Sequence, residues 1–167
     1  MAKTAELKVK LAASIAGSNT ISNPNFYPTL EKLIALTEGT GANQFDREFF
    51  AERTVGISSN DDLDLAGVLT DAFGGTITNV EIVALLIIAD ATNANTLSIG
   101  AGSNPWIAPW LASGDGIKLG PGGIFLLVSP DASGIGAVVA ATGDILRIAN
   151  GAGSTSKYKI AILGRSA

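Results

Sequence analysis

The sequence predicts an all-β chain: an antiparallel sandwich or barrel with an extended N-terminal arm. Three observations point there. Short segments alternate apolar and polar residues with period two. Turn signals interrupt them about every ten residues, with 20 glycines to supply tight turns. No segment carries the pattern of a three-turn helix.

The first strand is Ala5 to Leu11, where Leu7, Val9 and Leu11 alternate with Glu6, Lys8 and Lys10. Ala12 to Tyr27 is rich in Ser, Asn and small residues, and Pro24 and Pro28 bracket Asn25-Phe26-Tyr27, which reads as an extended arm or long loop. Residues 1–28 are therefore assigned to an N-terminal strand and arm, and 29–167 to the sandwich. Thr29 to Leu36 fits two patterns. Leu30, Leu33 and Ile34 suit a short helix, whereas Leu30, Ile34 and Leu36 suit one face of a strand, and strand is preferred.

Gly39 to Asn43 is a turn, and Phe45 to Val55 alternates again. Phe45, Arg47, Phe49, Ala51 and Arg53 share one face; Asp46, Glu48, Phe50, Glu52 and Thr54 share the other. Leu63 and Leu65 alternate with Asp62 and Asp64, an edge-like strand with its acids toward solvent. Val80 to Asp90 is nearly all apolar, as expected of a central strand covered on both faces. Leu97 and Ile99 flank Ser98 in the next strand, and 102–116 is a loop holding both tryptophans. Short strands are expected at 117–119, 124–128, 137–141 and 145–149. Asn150-Gly151-Ala152-Gly153 is a hairpin signal leading into Lys157 to Leu163, where Tyr158, Ile160 and Ile162 alternate with Lys157, Lys159 and Ala161. An α/β alternative would need helices at 29–36 and 82–89, and the second is β-branched without clear caps.

Composition narrows the chemistry. The 167 residues include no Cys and no His. Disulfides, Cys/His zinc sites, thiol nucleophiles and imidazole bases are excluded. Charged residues make up only 16% of the chain against about 25% in average proteins, so much of the surface is expected to meet other protein. The net charge of −4 argues against nucleic-acid binding, which needs clustered Lys and Arg. Residues 61–131 hold eight acids and one base, Lys118, whereas 132–167 hold four bases and one acid, a segregation that could steer self-association. The longest apolar run, Ile82 to Ala89, is too short for a membrane helix, and no signal-peptide core follows Met1; the chain is expected to be made inside a cell and not to contact membrane.

Candidate sites fail on inspection. Counted from Asp62, a calcium loop would have Asp62, Asp64 and Gly67 in place, but Ala66 and Phe73 occupy two liganding positions. The Gly120–Gly123 and Gly134–Gly136 stretches lack the residues that complete a phosphate loop or dinucleotide fingerprint. Ten aromatic residues are few for a glycosidase cleft. No cofactor, metal or catalytic residue is assigned, and no enzymatic activity is expected. The most distinctive loop is Asn104-Pro105-Trp106-Ile107-Ala108-Pro109-Trp110-Leu111. It fits a hot-spot anchor, a cap on the core or a sugar-stacking shelf.

Four stretches, taken in order and spacing, carry a family resemblance: Gly39 to Gln44 with Asp46, Asp62 to Gly74, Pro121 to Asp131, and Gly143 to Asn150 leading to Tyr158–Gly164. Together they resemble small β-sandwich proteins encoded with the structural genes of tailed bacteriophages and prophages. The likeness spans about residues 39–164, and Asp62–Gly74 and Pro121–Asp131 are its most specific parts.

The resemblance implies a jelly-roll-like sandwich and a non-enzymatic virion protein. The first expectation is a capsid decoration, or cement, protein, assembled in the host bacterial cytoplasm. It would bind the major capsid protein on the outside of the head and associate with other copies of itself, with a trimer as one arrangement. A tail or fibre component and a carbohydrate-binding module are the alternatives. The candidate interface residues are Leu7, Val9, Leu11, Phe26, Tyr27, Trp106, Ile107 and Trp110, with the N-terminal arm adding a strand to a neighbour's sheet edge.

Overall fold

A computed structural model of the chain describes residues 2–100 and 102–167. These contain no α-helix. The strands are β1 (Thr4–Ala12), β2 (Ile15–Ala16), β3 (Asn25–Phe26), β4 (Thr29–Glu38), β5 (Gln44–Phe45), β6 (Arg47–Val55), β7 (Asn60–Asp64), β8 (Glu81–Ala89), β9 (Leu97–Gly100), β10 (Gly116–Leu119), β11 (Ile124–Val128), β12 (Gly136–Ala137), β13 (Ile145–Asn150) and β14 (Ser156–Arg165).

Two sheets form the body. One has the order β10-β9-β13-β7, and the other the order β11-β8-β14-β6 with β12 added against β8. The pairing in both is antiparallel. Their inner faces share one core. Leu63, Leu97, Leu146 and Ile148 come from the four-stranded sheet, and Leu85, Ile87, Ile160 and Ile162 from the five-stranded sheet. The body is thus a two-layer, sandwich-like all-β structure, and the alternation seen in the sequence is what points these residues inward.

The glycine-rich stretch at Asn150–Gly153 does not close a hairpin. β13 pairs with β7 and β9, and β14 with β6 and β8, so the chain crosses here from one sheet to the other. Asn150 supplies the reason. Its buried amide nitrogen faces the carbonyls of Val55, Gly56 and Ser154 at 3.3, 2.9 and 2.8 Å. Its oxygen accepts from Ser156 Oγ at 2.9 Å and Asn95 Nδ2 at 3.0 Å. One side chain satisfies the backbone that a hairpin ladder would otherwise bond.

The first 38 residues are a hairpin and not a single extended arm. β1 pairs with β4 from Thr4↔Thr37 to Ala12↔Thr29. The Ser/Asn-rich stretch folds back on itself: β2 pairs with β3, Gly17 N–H donates to Pro24 O at 2.7 Å, and Asn19 Oδ1 accepts the N–H groups of Ile21 and Ser22 at 2.9 and 2.7 Å. A division at residue 28 therefore splits the hairpin, whose second strand ends at Glu38. The phase of the alternation in both flanks permits this pairing, but the sequence does not reveal it, because no two-residue turn signal marks the tip.

At the hairpin's foot, the fully buried Arg165 ends β14. Its guanidinium donates to Gln44 O at 3.0 Å, Glu81 Oε2 at 3.0 Å, Ala132 O at 3.1 Å and Asp131 O at 2.7 Å. It ties β5, β8 and the 131–132 loop to one point.

Replacing Asn150 with Ala leaves buried polar groups on both sides of the corner without partners. The expected loss is about 2–3 kcal/mol in urea unfolding.

Candidate interaction surface

The hairpin is amphipathic. Direct cross-strand pairs put Ala5, Leu7, Ile34 and Leu36 on one face, followed by Val9, Leu11, Lys32 and Leu30. The same register carries through to Ile15↔Phe26, which alternation places on that face too. The other face holds Glu6, Lys8, Lys10 and Glu31, with Lys8–Glu31 at 2.7 Å and Lys10–Glu31 at 3.6 Å.

Only the foot of the apolar face is covered. Ala5, Leu7, Ile34 and Leu36 pack with Val83, Ala84, Val128 and Leu163 of the five-stranded sheet. From Lys8 to Leu33 every residue is exposed except the half-buried Gly17 and Pro28. Leu11 is 69% exposed, Leu30 73% and Phe26 63%. The free part, Lys8 to about Asn19, extends roughly 40 Å at the rise of a strand. A two-stranded hairpin with both faces in water is marginal alone, so this element gains stability from whatever covers it.

The sheet under the foot is also apolar on the outer face of β8 and β11, with charged residues on that face of β6 and β14. Cross-strand register aligns Glu48, Leu163, Ala84 and Val128 in one row, which the foot covers. The next rows are Phe50, Ala161, Leu86 and Leu126, then Glu52, Lys159, Ile88 and Ile124. The hairpin does not cover them: Phe50 is 68% and Ile124 65% exposed, and Ala161, Leu86, Leu126 and Ile88 between them are half-buried. A trough of about 430 Å³ runs between Phe50, Leu86, Ile88 and Ala161. Sequence reasoning did not single out these residues. Their signal was the adjacent pair Phe49-Phe50 and the unbroken apolar runs of β8 and β11, which mark strands apolar on both faces.

The other expected interface residues divide. Val9 and Leu11 are exposed on the free hairpin, Leu7 is half-buried at its foot, and Phe26 and Tyr27 are exposed near its tip. Trp106 is only 1% exposed and lies in the shared core, its Nε1 donating to Ala137 O at 3.0 Å, so it cannot anchor a neighbour. Trp110 is half-buried and stacks on Phe125 with ring centroids 6.0 Å apart. Trp106 and Trp110 therefore do not form one exposed aromatic surface together. Ile107 alone of the three faces out, lining a depression with Pro105, Ala108 and Val139, and Leu111 beside it is fully exposed.

The polar clusters are clasps. Arg53 holds Asp61 through Nε to Oδ2 at 2.6 Å and Nη2 to Oδ1 at 2.8 Å, and Tyr158 Oη donates to Oδ2 at 2.8 Å. Burial pushes the Asp61 carboxyl up. The hydrogen bonds from Arg53 and Tyr158, with the Arg53 charge, outweigh burial and hold it below the usual carboxylate value. Burial, and then Asp61, drive the Tyr158 phenol far above its ordinary value. Both carboxylate oxygens of Asp61 accept hydrogen bonds, Oδ2 from two donors and Oδ1 from one. The trio joins β7 of one sheet to β6 and β14 of the other. Arg147 grips Asp62 in the same forked way at 2.6 and 2.6 Å across β13 and β7. Among the described residues no group of three or more acidic side chains is placed to hold a metal ion.

No family model, curated protein or solved structure matches the chain.

Replacing Trp106 with Ala is expected to cost about 3–5 kcal/mol by thermal or chemical unfolding, as for a large core side chain, whereas Ile107→Ala stays within about 0.5 kcal/mol. The Asp61 clasp sets an acid dependence. Its folded pKa lies below the unfolded 3.8, so it stabilises the fold above that value and the contribution disappears as pH falls through the lower folded one. The stability gap between the wild type and Asp61→Asn should therefore narrow from roughly pH 6 to pH 3 in melts followed by circular dichroism.

Proposed function

We propose that the chain is a non-enzymatic structural component of a phage virion, a decoration protein seated on the outside of the head shell. The observation that carries this reading is the surplus of apolar surface. A free amphipathic hairpin, an open apolar sheet face and an exposed loop end at Ile107, Leu111 and Val139 are more than a solitary domain keeps in water. They fit a life in contact with other protein.

The strand order supports a jelly roll as the scaffold. Numbering β6, β7, β8, β9, β10, β11, β13 and β14 from one to eight, the sheets run 1-8-3-6 and 2-7-4-5, the order of two interleaved Greek keys. That architecture is shared by viral capsid domains and lectins. The inward-facing Trp106 and half-buried Trp110 weigh against the lectin-like alternative. The absence of thiols and imidazoles suits a particle that leaves a reducing cytoplasm.

In this reading the Ile107–Leu111–Val139 end of the body faces the shell, where short apolar side chains on loops meet the major capsid protein. The test is co-sedimentation with head shells assembled from the major capsid protein of the phage or prophage whose genome carries this sequence. Wild-type protein should saturate the shells in a regular array. The double variant Ile107→Asp with Leu111→Asp should fold with unchanged circular dichroism and stay in the supernatant. Binding to isolated tails and not to heads would establish the tail alternative; binding to neither would end the virion reading.

A further inference from the structure

We infer that copies of this chain associate through their hairpins: the free apolar face of one hairpin lies across the uncovered outer face of the five-stranded sheet of the next copy. The inference rests on this chain's geometry alone and stands whether or not the shell reading does.

The first argument is continuity. The structure already contains this contact in part, because the foot of the hairpin covers the row of Leu163, Ala84 and Val128 with Ala5, Leu7, Ile34 and Leu36. The same hairpin face continues without its sheet, and the same sheet face continues without its hairpin. One surface lacks a cover where the other lacks a substrate; the hairpin offers Val9, Leu11, Leu30 and Phe26, and the sheet Phe50, Leu86, Leu126, Ile88 and Ile124.

A hairpin cannot satisfy its own sheet, because its free part has already left the body: no residue from Lys8 to Leu33 is buried. The missing cover must come from elsewhere, and a second copy brings one of matched chemistry.

Charge agrees with this pairing. Lys32 is the one charged residue on the apolar hairpin face between Ala5 and Leu36. The open rows of the sheet have Glu52 at their margin, held only loosely by Lys159 at 3.8 Å, with both side chains more than 60% exposed. A hairpin laid across the trough brings Lys32 to the row that holds this loosely paired Glu52 beside Lys159. The opposite, ion-paired hairpin face stays in water.

The contact is heterologous, joining two different patches. It closes into a ring or a reciprocal pair when the rotation between copies allows.

The chain contains no Cys, so a single introduced thiol reports cleanly. Leu30→Cys on the hairpin and Ile88→Cys on the sheet are to be mixed, oxidised and run without reductant, with Lys118→Cys on the exposed side of β10 as control. Cross-links between the Leu30 and Ile88 variants should dominate, and sedimentation velocity of the wild type should show a concentration-dependent oligomer. Trimming the hairpin by replacing 10–31 with a short turn should leave a folded monomer. Three results overturn the inference: a wild type that is monomeric at every concentration, Leu30–Leu30 cross-links in place of Leu30–Ile88, or equal trapping of Leu30→Cys by the Lys118 control.

Discussion

The five-stranded sheet is apolar on its inner face and, over β8 and β11, on its outer face too, and the rest of the structure is arranged around covering it. Leu85, Ile87, Ile160 and Ile162 point into the shared core, where the four-stranded sheet covers them. On the reverse, Ala84, Leu163 and Val128 are covered by the hairpin's foot. An antiparallel sheet commonly leaves one face to water and makes it polar. Here the second face is apolar over β8 and β11, and half covered. The buried Arg165 reinforces the arrangement by fixing β5, β8 and the 131–132 loop beside the foot. Burying one exposed Leu, Ile or Phe contributes about 1.5–3 kcal/mol, so covering the open rows by a partner is a large gain relative to a typical domain's stability.

The polar groups hold the two layers in place. Asp61 is gripped from the opposite sheet by Arg53 and Tyr158, and Asn150 holds the corner where the chain changes sheets. Both act at rims of the sandwich, where the apolar core runs out. Asp62 is likewise held in a forked contact, by Arg147 across β13 and β7.

Much of the body was legible in the sequence because period-two alternation reports directly on which residues face the core. Phe49, Ala51 and Val55, or Tyr158, Ile160 and Ile162, could be placed before the structure was known. Pairing between strands was less legible. The Asn150–Gly153 glycines mark a reversal, but composition cannot distinguish a hairpin from a crossing between sheets; the buried contacts of Asn150 decide it. The 12–27 stretch carries few apolar residues, and only its flanks, in register across the hairpin, show that it folds back. For the 104–111 loop the sequence leaves anchor and core cap open, because a Trp between prolines suits both; the structure puts Trp106 in the core, with its Nε1 partner, Ala137 O, 31 residues away. Adjacent apolar pairs such as Phe49-Phe50 were the available sign of the second apolar face.

The most direct measurement is a side-chain-resolution density map of the assembled protein. The account predicts Leu11, Leu30 and Phe26 of one copy seated over Phe50, Leu86 and Ile88 of another, with the Lys8–Glu31 face in solvent. A map in which the hairpin lies against a different protein, or stands free above a sheet face open to water, contradicts it.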